Sequence, residues 1–389
     1  MQRRRIAERP DWRDYAESVG FDYHTIDGEP YWIDDAYYQF SWTQIEDQLE
    51  SATSELHAMA MELVPEVLRS DELLAKLQIP TAYWDYLANS WQRQQPSLYG
   101  RMDLSYDGRL PPKLLELNYD TPTSLFEAGF FQWMWLEQQF EAGLLPEATD
   151  QFNSIQEKLI WAFGGMKLPR PLHFSCVDQS SEDRGNVNYL MDCAAQAGLA
   201  TRFVATESIG EAGGQFVDDD GAPIKALFKL YPWEFMLQED FAPVLLTSPT
   251  QFIEPPWKLL LSNKGILPLL WQRHPGHPNL LECQFDDGSA PLPPGWARKP
   301  IYSREGANVE LRDLAGNRSA EDGPYNDGGF VRQRLNPLPV FTDAGSGKQV
   351  HALVGSWVIG GEAAGIGLRE DDSPITRNTS RFVPHVILD

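Results

Sequence analysis

The chain has 389 residues and a formal net charge of −24, and 42% of its residues are hydrophobic and 23% charged. These values are typical of a folded globular protein of two or three domains and exclude a disordered one. The negative charge disfavours nucleic acid, which needs a basic surface, and is compatible with a cationic small substrate or with solubility alone. The longest apolar stretches, 265–271 and 352–360, are far shorter than the roughly 20 residues that span a bilayer, so we expect no membrane partner.

The termini and the cysteines indicate the compartment. The N-terminus Met1–Arg5 is basic but continues into a polar segment, whereas a secretory signal requires an apolar one. Cys176, Cys193 and Cys283 are widely spaced and odd in number, which is typical of reduced cysteines. The sequence therefore predicts a cytoplasmic protein, and it leaves the oligomeric state open.

The first part of the chain is predicted to be mainly helical. A turn at Asp27–Gly28 precedes apolar stripes of helical period, which predict helices over 41–70, 71–77 and 82–93. Two alternating strands over 99–106 and 112–118 follow, around the turn Asp107-Gly108.

The later part of the chain mixes helices and strands. Helices are predicted over 123–140 and 150–163. A strand, a helix and a strand over 172–177, 183–198 and 200–204 predict a small parallel sheet. Beyond residue 210 we expect one helix over 264–274 and strands over 225–230, 297–303, 308–312, 329–336, 351–359 and 362–368.

The paired strands carry the most informative residues. Residues two apart on a strand share a face, so Arg101 and Asp103 point the same way, as do Glu116 and Asn118. Two carboxylates and an amide oxygen suit Mg²⁺, and a nearby arginine suits a phosphoryl group in transfer. The alternative is an ordinary solvated hairpin with a surface salt bridge.

Lysine is scarce in this chain, and two of its lysines suggest a phosphate site. Lys264 opens the helix over 264–274, and Lys299 lies on a strand followed by the loop Ser303–Asn308. A strand lysine and a small-residue loop can hold a triphosphate, although such a loop is more often a simple turn. Arg369 follows a glycine-rich turn and is expected at a strand end, either available for phosphate or merely on the surface.

An acidic pair precedes another helix. Glu182 and Asp183 lie at the start of the predicted helix over 183–198. They either complement the helix dipole or receive an amine.

Taken together, these motifs resemble the glutathionylspermidine synthase family, specifically its ATP-grasp synthetase domain, from about residue 10 to residue 387. The order and spacing of the matching pieces are specific, although no single piece is. These pieces are Gly100–Asp103, Glu116–Asp120, Lys229–Glu234, Asn263–Pro268, Lys299–Pro300, Ser303–Asn308, Gln333 and Gly367–Arg369.

The resemblance implies a fold and a nucleotide site. The fold would be α+β, a permuted, glutathione-synthetase-like ATP-grasp with a small parallel-sheet pre-ATP-grasp domain and a helical N-terminal part. The resemblance implies ATP and Mg²⁺ as cofactors. The matching metal ligands are Asp103, Glu116 and Asn118, and the matching ATP-binding residues are Lys264, Lys299, Ser303, Arg304, Gly306 and Gln333.

The resemblance also implies substrate contacts. Arg101 matches an arginine placed at the acyl-phosphate, and Arg369 matches an arginine near the reacting phosphate. Thr121 and Thr123 match hydroxyl residues near the acyl acceptor, and Glu182 and Asp183 match acidic residues that hold the polyamine.

We therefore expect an ATP-dependent ligase that joins a small-molecule or peptide carboxylate to an amine. Interleaved domains are expected over 1–165, 166–260 and 261–389. Leu230 replaces a hydroxyl residue and the turn over 119–124 differs in detail from the family, and these two departures leave the acyl substrate open. The chain has no room for the amidase domain of the bifunctional members, so hydrolysis of the amide product is not expected. An ATP-grasp peptide ligase and a non-catalytic nucleotide-binding protein are the alternatives.

Overall fold

A computed structural model describes residues 1–26, 28–325 and 328–389. Asp27, from the predicted turn at Asp27–Gly28, lies outside these residues. The fold mixes helices and sheets, as expected. Within the described residues, no helix is both long and apolar enough to cross a membrane.

Ten α-helices surround the sheets in the described ranges. A short π-helical segment leads directly into α2 (Gln44–Glu50) and another into α5 (Glu127–Phe131). The α-helices are α1 (Trp12–Ser18), α2 (Ser51–Val67), α3 (Asp71–Lys76), α4 (Trp84–Gln92), α5 (Gln132–Glu141), α6 (Ile155–Gly165), α7 (Ser181–Gln196), α8 (Trp233–Met236), α9 (Ala242–Leu245) and α10 (Ile266–Arg273).

The strands are numbered in chain order. They are β1 (Gln2–Arg5), β2 (Thr25–Ile26), β3 (Glu29–Pro30), β4 (Ala36–Phe40), β5 (Tyr99–Ser105), β6 (Lys113–Asn118), β7 (Leu172–Ser175), β8 (Thr201–Phe203), β9 (Gly210–Ala212), β10 (Gln215–Val217), β11 (Ala226–Lys229), β12 (Gln251–Ile253), β13 (Cys283–Asp286), β14 (Trp296–Pro300), β15 (Glu310–Arg312), β16 (Arg318–Ala320), β17 (Phe330–Arg334), β18 (Val340–Thr342), β19 (Gln349–Ile359), β20 (Glu362–Asp371), β21 (Arg381–Val383) and β22 (His385–Ile387).

The largest sheet joins distant parts of the chain. Its order is β21-β20-β19-β5-β6, with β18 paired to β19, and the pairings are antiparallel. It places the acidic hairpin of β5 and β6 beside the long strand β19. The predicted hairpin is therefore confirmed: β5 lies inside the sheet and β6 forms its edge.

Two further sheets flank it. The sheet β12-β11-β7-β8 is entirely parallel, which confirms the small parallel sheet predicted from the strand–helix–strand pattern. The sheet β13-β17-β14-β15-β16 is antiparallel and carries Lys299 on β14 and Gln333 on β17. Tyr302, which follows β14, donates to the Leu77 carbonyl over 3.2 Å and so connects this sheet to the end of α3.

The prediction of a mainly helical start was incomplete. Strands β1 and β22, from the two ends of the chain, both pair with β4 and form a three-stranded sheet. Strand β4 is buried on both faces and therefore lacks the alternation that reveals a half-buried strand. Strand β1 is a run of polar residues, which carries no strand signal of its own.

Several predicted boundaries moved. The helix predicted over 41–70 begins with the π-helical segment and ends at Val67. Arg369 was expected at the end of a strand. Strand β20 extends to Asp371, so Arg369 lies within the strand instead. The extension follows from pairing with both β19 and β21, which the sequence pattern does not display.

Candidate active site

The acidic hairpin brings its four polar residues together. Arg101 is opposite Asn118, and Asp103 is opposite Glu116, in the register of β5 and β6. The register then skips Leu115, which forms a β-bulge. The bulge frees the Leu115 carbonyl from the strand pairing.

Arg101 is held between the hairpin and the turn that follows it. Its Nε donates to Asp103 Oδ1 over 2.7 Å, and its Nη1 donates to the Thr123 carbonyl over 2.8 Å. Gly355 of the adjacent strand β19 makes room for it, because a Cβ at that position would lie 2.9 Å from Arg101 Cδ. The guanidinium is thus fixed at one end of the hairpin.

Two lysines from distant segments reach the same hairpin. Lys264 Nζ lies 3.3 Å from Glu116 Oε2 and donates to the Ser303 carbonyl over 2.7 Å. Lys299 Nζ donates to the bulged Leu115 carbonyl over 2.9 Å. The acidic strands and the two lysines are therefore close together in space.

The charges of this cluster are mutually stabilised. Burial alone would raise the pKa of Glu116, but Lys264 and Lys299 oppose it and lower that pKa to about 2. Burial lowers the pKa of Lys299, and the Glu116 carboxylate opposes that shift. An anion such as a phosphate would relieve the excess positive charge of the two buried lysines.

The donor set fits Mg²⁺ bound together with a phosphate. Within the ranges 1–26, 28–325 and 328–389, no three His, Cys, Asp or Glu side chains form a metal cluster. The hairpin offers two carboxylates, Asp103 and Glu116, and the Asn118 amide, whose nitrogen lies 3.4 Å from Glu116 Oε1. Mg²⁺ commonly takes one or two carboxylates and completes its shell with phosphate oxygens and water.

Two adjoining cavities extend from the hairpin. One of about 100 Å³ is lined by Asp103, Glu116, Lys264, Lys299, Ser303 and Gly306. The other, of about 210 Å³, shares Leu115, Lys299, Leu311 and Pro374 with it and is further lined by Ala297, Gln333 and Leu338. A charged compartment next to an apolar one suits a nucleotide, with phosphates in the first and the base in the second.

Lys299 and Gln333 join the two compartments. Lys299 Nζ donates to Gln333 Oε1 over 3.0 Å, and Gln333 Nε2 donates to the Leu114 carbonyl over 3.1 Å. The Gln333 side chain is 2% exposed. Gln333 therefore lies in the wall of the larger cavity.

The loop over 303–308 lies against the charged cavity of about 100 Å³, which is called the phosphate compartment below. Gly306 has φ +73°, and a Cβ there would lie 2.6 Å from the Thr376 carbonyl oxygen. Arg304 points away from the phosphate compartment: its Nη2 donates to Glu234 Oε1 over 2.7 Å and its Nη1 to Thr121 Oγ1 over 2.9 Å. Arg304 therefore ties this loop to the turn over 119–124.

Hydrogen bonds to Asp120 and Ser124 hold the turn over 119–124 in place. Buried Asp120 accepts from Lys229 Nζ over 2.6 Å and from the Trp233 amide over 2.8 Å. Ser124 adopts φ +66°, and its Oγ accepts from Arg369 Nη1 over 3.2 Å. Arg101 and Arg369 thus hold the turn at Thr123 and Ser124.

The acidic pair of α7 faces the same region. Ser180 caps the helix by accepting from the Asp183 amide over 3.2 Å, so neither acid is the cap. Burial and the charge of Glu182 raise the pKa of Asp183 to about 6. Burial and Glu182 also raise the pKa of Glu305, in the loop over 303–308. The carboxylates repel one another and would favour a bound cation.

Sequence reasoning missed several residues of this region. Glu127, Tyr31 and Ser124 form a hydrogen-bonded group behind the turn, and Glu234 holds Arg304. A signal for Glu127 was available, because it is the sole charged residue in the apolar stretch from Leu125 to Phe131. Tyr31 gave no such signal, since its contact spans 96 positions of the chain.

The fold has a counterpart among solved structures. It is similar to an apo glutathione synthetase-like effector from Globodera pallida, with a TM-score of 0.55, 13% identity, and coverage of 97% of this chain and 95% of that one. The chain therefore has a glutathione-synthetase-like α+β fold.

The family follows from the sequence comparisons. A family model described as glutathionylspermidine synthase preATP-grasp matches residues 3–388. The chain is 40% identical to a candidate acid–amine ligase of Haemophilus influenzae, and the match covers 97% of both chains. This chain belongs to the glutathionylspermidine synthase family and is an enzyme of the acid–amine ligase class.

Longer relatives match over part of their length. Trypanothione synthetase of Crithidia fasciculata is 30% identical, over 85% of this chain and 53% of that protein. The bifunctional glutathionylspermidine synthetase/amidase of Escherichia coli is 28% identical, over 91% of this chain and 60% of that protein. The chain thus spans about half to three-fifths of the length of these two relatives.

Proposed function

We propose that this chain is an ATP- and Mg²⁺-dependent ligase that activates a carboxylate as an acyl-phosphate and joins it to an amine. The observation that carries the proposal is the convergence of Asp103 and Glu116 with Lys264 and Lys299 at one cavity. These residues come from three distant segments, so a local structural role does not explain their meeting. The family's named ligases support the same reaction class.

In the first step the substrate carboxylate oxygen attacks the γ-phosphorus of ATP, and ADP leaves. Lys264 and Lys299 neutralise the negative charge that moves along the phosphates, and the loop over 303–308 excludes water. Asp103, Glu116 and Asn118 would hold Mg²⁺, which when bound neutralises phosphate oxygens and aligns them for transfer. Gln333 and the apolar compartment position the base.

In the second step the amine attacks the acyl carbon and phosphate leaves. Arg101 and Arg369 hold the turn carrying Thr121 and Thr123, and their guanidinium groups stabilise the oxyanion of the tetrahedral intermediate and the departing phosphate. Arg304, bound to Thr121, links closure of the nucleotide loop to the acyl site. Glu182 and Asp183 attract the cationic part of the amine substrate.

The finer architecture is also part of the proposal. We assign a permuted ATP-grasp arrangement in which the domains 1–165, 166–260 and 261–389 interleave around one cleft. A peptide or glutathione-like carboxylate and a polyamine-like amine are the substrate classes supported by the acidic pair and by the names of the relatives. Cys176, Cys193 and Cys283 are buried free thiols, which supports a reducing, cytoplasmic location.

The test is a matrix of carboxylates crossed with amines, scored for ADP release and, by mass spectrometry, for a condensed product. We expect ADP and amide in equal amounts, and only when a carboxylate and an amine are both present. ATP binding without ADP release stimulated by any pair would instead indicate a nucleotide-binding protein without ligase activity. A product formed solely with amino acids as amines would indicate a peptide ligase.

A further inference from the structure

A continuous series of hydrogen bonds runs from the turn over 119–124 into the core. Arg369 donates to Ser124 Oγ over 3.2 Å, Ser124 Oγ lies 3.1 Å from the Tyr31 hydroxyl, and Tyr31 donates to Glu127 Oε1 over 2.6 Å. Because Tyr31 has one proton and gives it to Glu127, Ser124 must be the donor in its bond to Tyr31. Both hydroxyl protons therefore point toward Glu127.

Glu127 at the inner end is poorly stabilised as an anion. Its side chain is 0% exposed. Its second oxygen, Oε2, has no hydrogen-bond partner within the described part of the chain. A buried carboxylate with one oxygen left without a donor binds a proton more readily than a solvated one does.

The groups that face Glu127 add to this effect. Glu182 on α7, Tyr23 and Tyr31 from the segment after α1, and Arg369 on β20 are its ionisable neighbours. Burial and the Glu182 charge raise the pKa of Glu127 to about 7, while the bond from Tyr31 and the Arg369 charge oppose that shift. Glu127 can therefore change its protonation state near neutral pH.

The outer end of the series lies at the proposed reaction centre. Ser124 contacts Arg369, and the preceding carbonyl, of Thr123, accepts from Arg101. Both arginines are the ones assigned to the acyl-phosphate and its oxyanion. Ser124 is thus the side chain through which the buried acid is connected to the site.

We propose that Glu127 accepts, through Tyr31 and Ser124, the proton that the amine substrate loses during amide formation. This inference rests on the proposed ligase function and deepens it. Glu127 and Tyr31 act through Ser124 and are positioning residues for the proton transfer. No such acceptor is otherwise assigned, because Glu182 and Asp183 serve to hold the cationic part of the amine.

The step balances in protons and bonds. The amine nitrogen forms the new bond to the acyl carbon, the bond from that carbon to the phosphate oxygen breaks, and phosphate leaves. One proton passes from the new ammonium nitrogen to Ser124 Oγ while the Ser124 proton passes to Tyr31 and the Tyr31 proton to Glu127. After the product leaves, the reverse transfers return the proton to solvent.

The experiment separates the two half-reactions. Positional isotope exchange in ¹⁸O-labelled ATP, measured with the carboxylate and without amine, reports acyl-phosphate formation alone. Amide formation with the amine identified in the substrate matrix reports both steps. The variants are Glu127→Gln and Tyr31→Phe, and the matched control is Tyr23→Phe, whose buried hydroxyl has no hydrogen-bond partner among the described residues.

For Glu127→Gln and Tyr31→Phe we expect isotope exchange within about twofold of wild type. The rate of amide formation should be lower by about 10²-fold, which is the lower end of the usual effect of a lost general base. The wild-type rate should decline below about pH 7, where Glu127 takes up a proton, and Glu127→Gln should lose this decline. Tyr23→Phe should match wild type in both assays.

Three results would overturn the inference. If Glu127→Gln forms amide with the wild-type rate and pH dependence, Glu127 is not the proton acceptor. If the variant loses isotope exchange and amide formation equally, the role of Glu127 is structural. If Glu127→Gln does not fold, Tyr31→Phe tests the proton transfer instead. Amide formation at the wild-type rate in that variant would contradict transfer through Tyr31. Absence of isotope exchange in the wild type with every carboxylate would instead refute the ligase proposal itself.

Discussion

At the scale of single residues, the site is defined by side chains whose charges are satisfied only in combination. Asp103 is paired with Arg101, and Glu116 with Lys264, so each carboxylate has a cation and each cation has room for a further anion. Glu127 is the exception, because it is buried, its Oε2 has no hydrogen-bond partner among the described residues, and the Glu182 charge lies nearby. Substitutions of the paired carboxylates and of Glu127 should therefore have different effects.

Asp103→Asn should lower ADP release by about 10²-fold or more, because it removes a charged oxygen ligand from the proposed Mg²⁺ site while preserving the side-chain shape. The assay is steady-state ADP release, with thermal unfolding to verify the fold. Asp107→Asn is the matched control, since Asp107 lies at the exposed turn of the same hairpin and its Oδ1 accepts from the Arg109 amide. Turnover of Asp103→Asn equal to that of the control would remove the metal assignment.

Glu182→Gln should raise the KM for the amine severalfold and leave the KM for ATP nearly unchanged, because Glu182 is assigned to the amine and not to the nucleotide. Steady-state kinetics with each substrate varied in turn provides the measurement. Glu62→Gln, on the exposed face of α2, controls for the loss of one negative charge. Equal increases in both KM values would make Glu182 a structural residue.

Glu127→Gln should be more stable than wild type at high pH. The folded pKa of Glu127, about 7, lies above the unfolded value of about 4.3, so the folded state binds the proton more tightly and wild-type stability falls as pH rises between these values. The advantage of the variant should grow by about 2–3 kcal/mol between pH 5 and pH 8. Urea unfolding at the two pH values measures it, and a constant difference would contradict the raised pKa.

At the scale of elements, the site depends on irregularities in regular structures. The β-bulge at Leu115 frees a carbonyl that holds Lys299, and the positive φ of Ser124 places its side chain between Arg369 and Tyr31. The loop over 303–308 packs its Gly306 against the backbone of Thr376, where no side chain fits. These features are local in structure but connect distant segments.

Gly306→Ala should raise the KM for ATP about tenfold, because the new Cβ would meet Ile375 and Thr376 and displace the loop from the phosphate compartment. Nucleotide affinity measured by titration calorimetry would show the same loss. Gly221→Ala controls for backbone strain alone, since Gly221 also has a positive φ but a Cβ there would meet nothing within 4 Å. Similar affinities in the two variants would mean that the loop does not contact the nucleotide.

At the scale of the whole molecule, the net charge of −24 produces a negative field around the protein. Such a field attracts a cationic amine and repels ATP, and salt screens both effects over a distance of about 8 Å at physiological ionic strength. The two substrates should therefore respond to salt in opposite directions.

Raising KCl from low concentration to 0.5 M should lower kcat/KM for the amine by about threefold to tenfold and should not lower kcat/KM for ATP. Both values come from initial rates at constant Mg²⁺. A decrease of the same size for both substrates would point to a general effect of salt on the enzyme and against steering of the amine.

The sequence by itself determined the paired strands of the acidic hairpin, the small parallel sheet and the family, because each depends on local alternation or on motifs in a fixed order. Only the tertiary structure decided that Lys264 and Lys299 reach the acidic hairpin, that β1 and β22 both pair with β4, and that Tyr31 reaches Glu127 across 96 positions. A local pattern records which face of an element is buried, but not which distant element covers it. Contacts between distant segments arise when the whole core packs, and that is where this site is assembled.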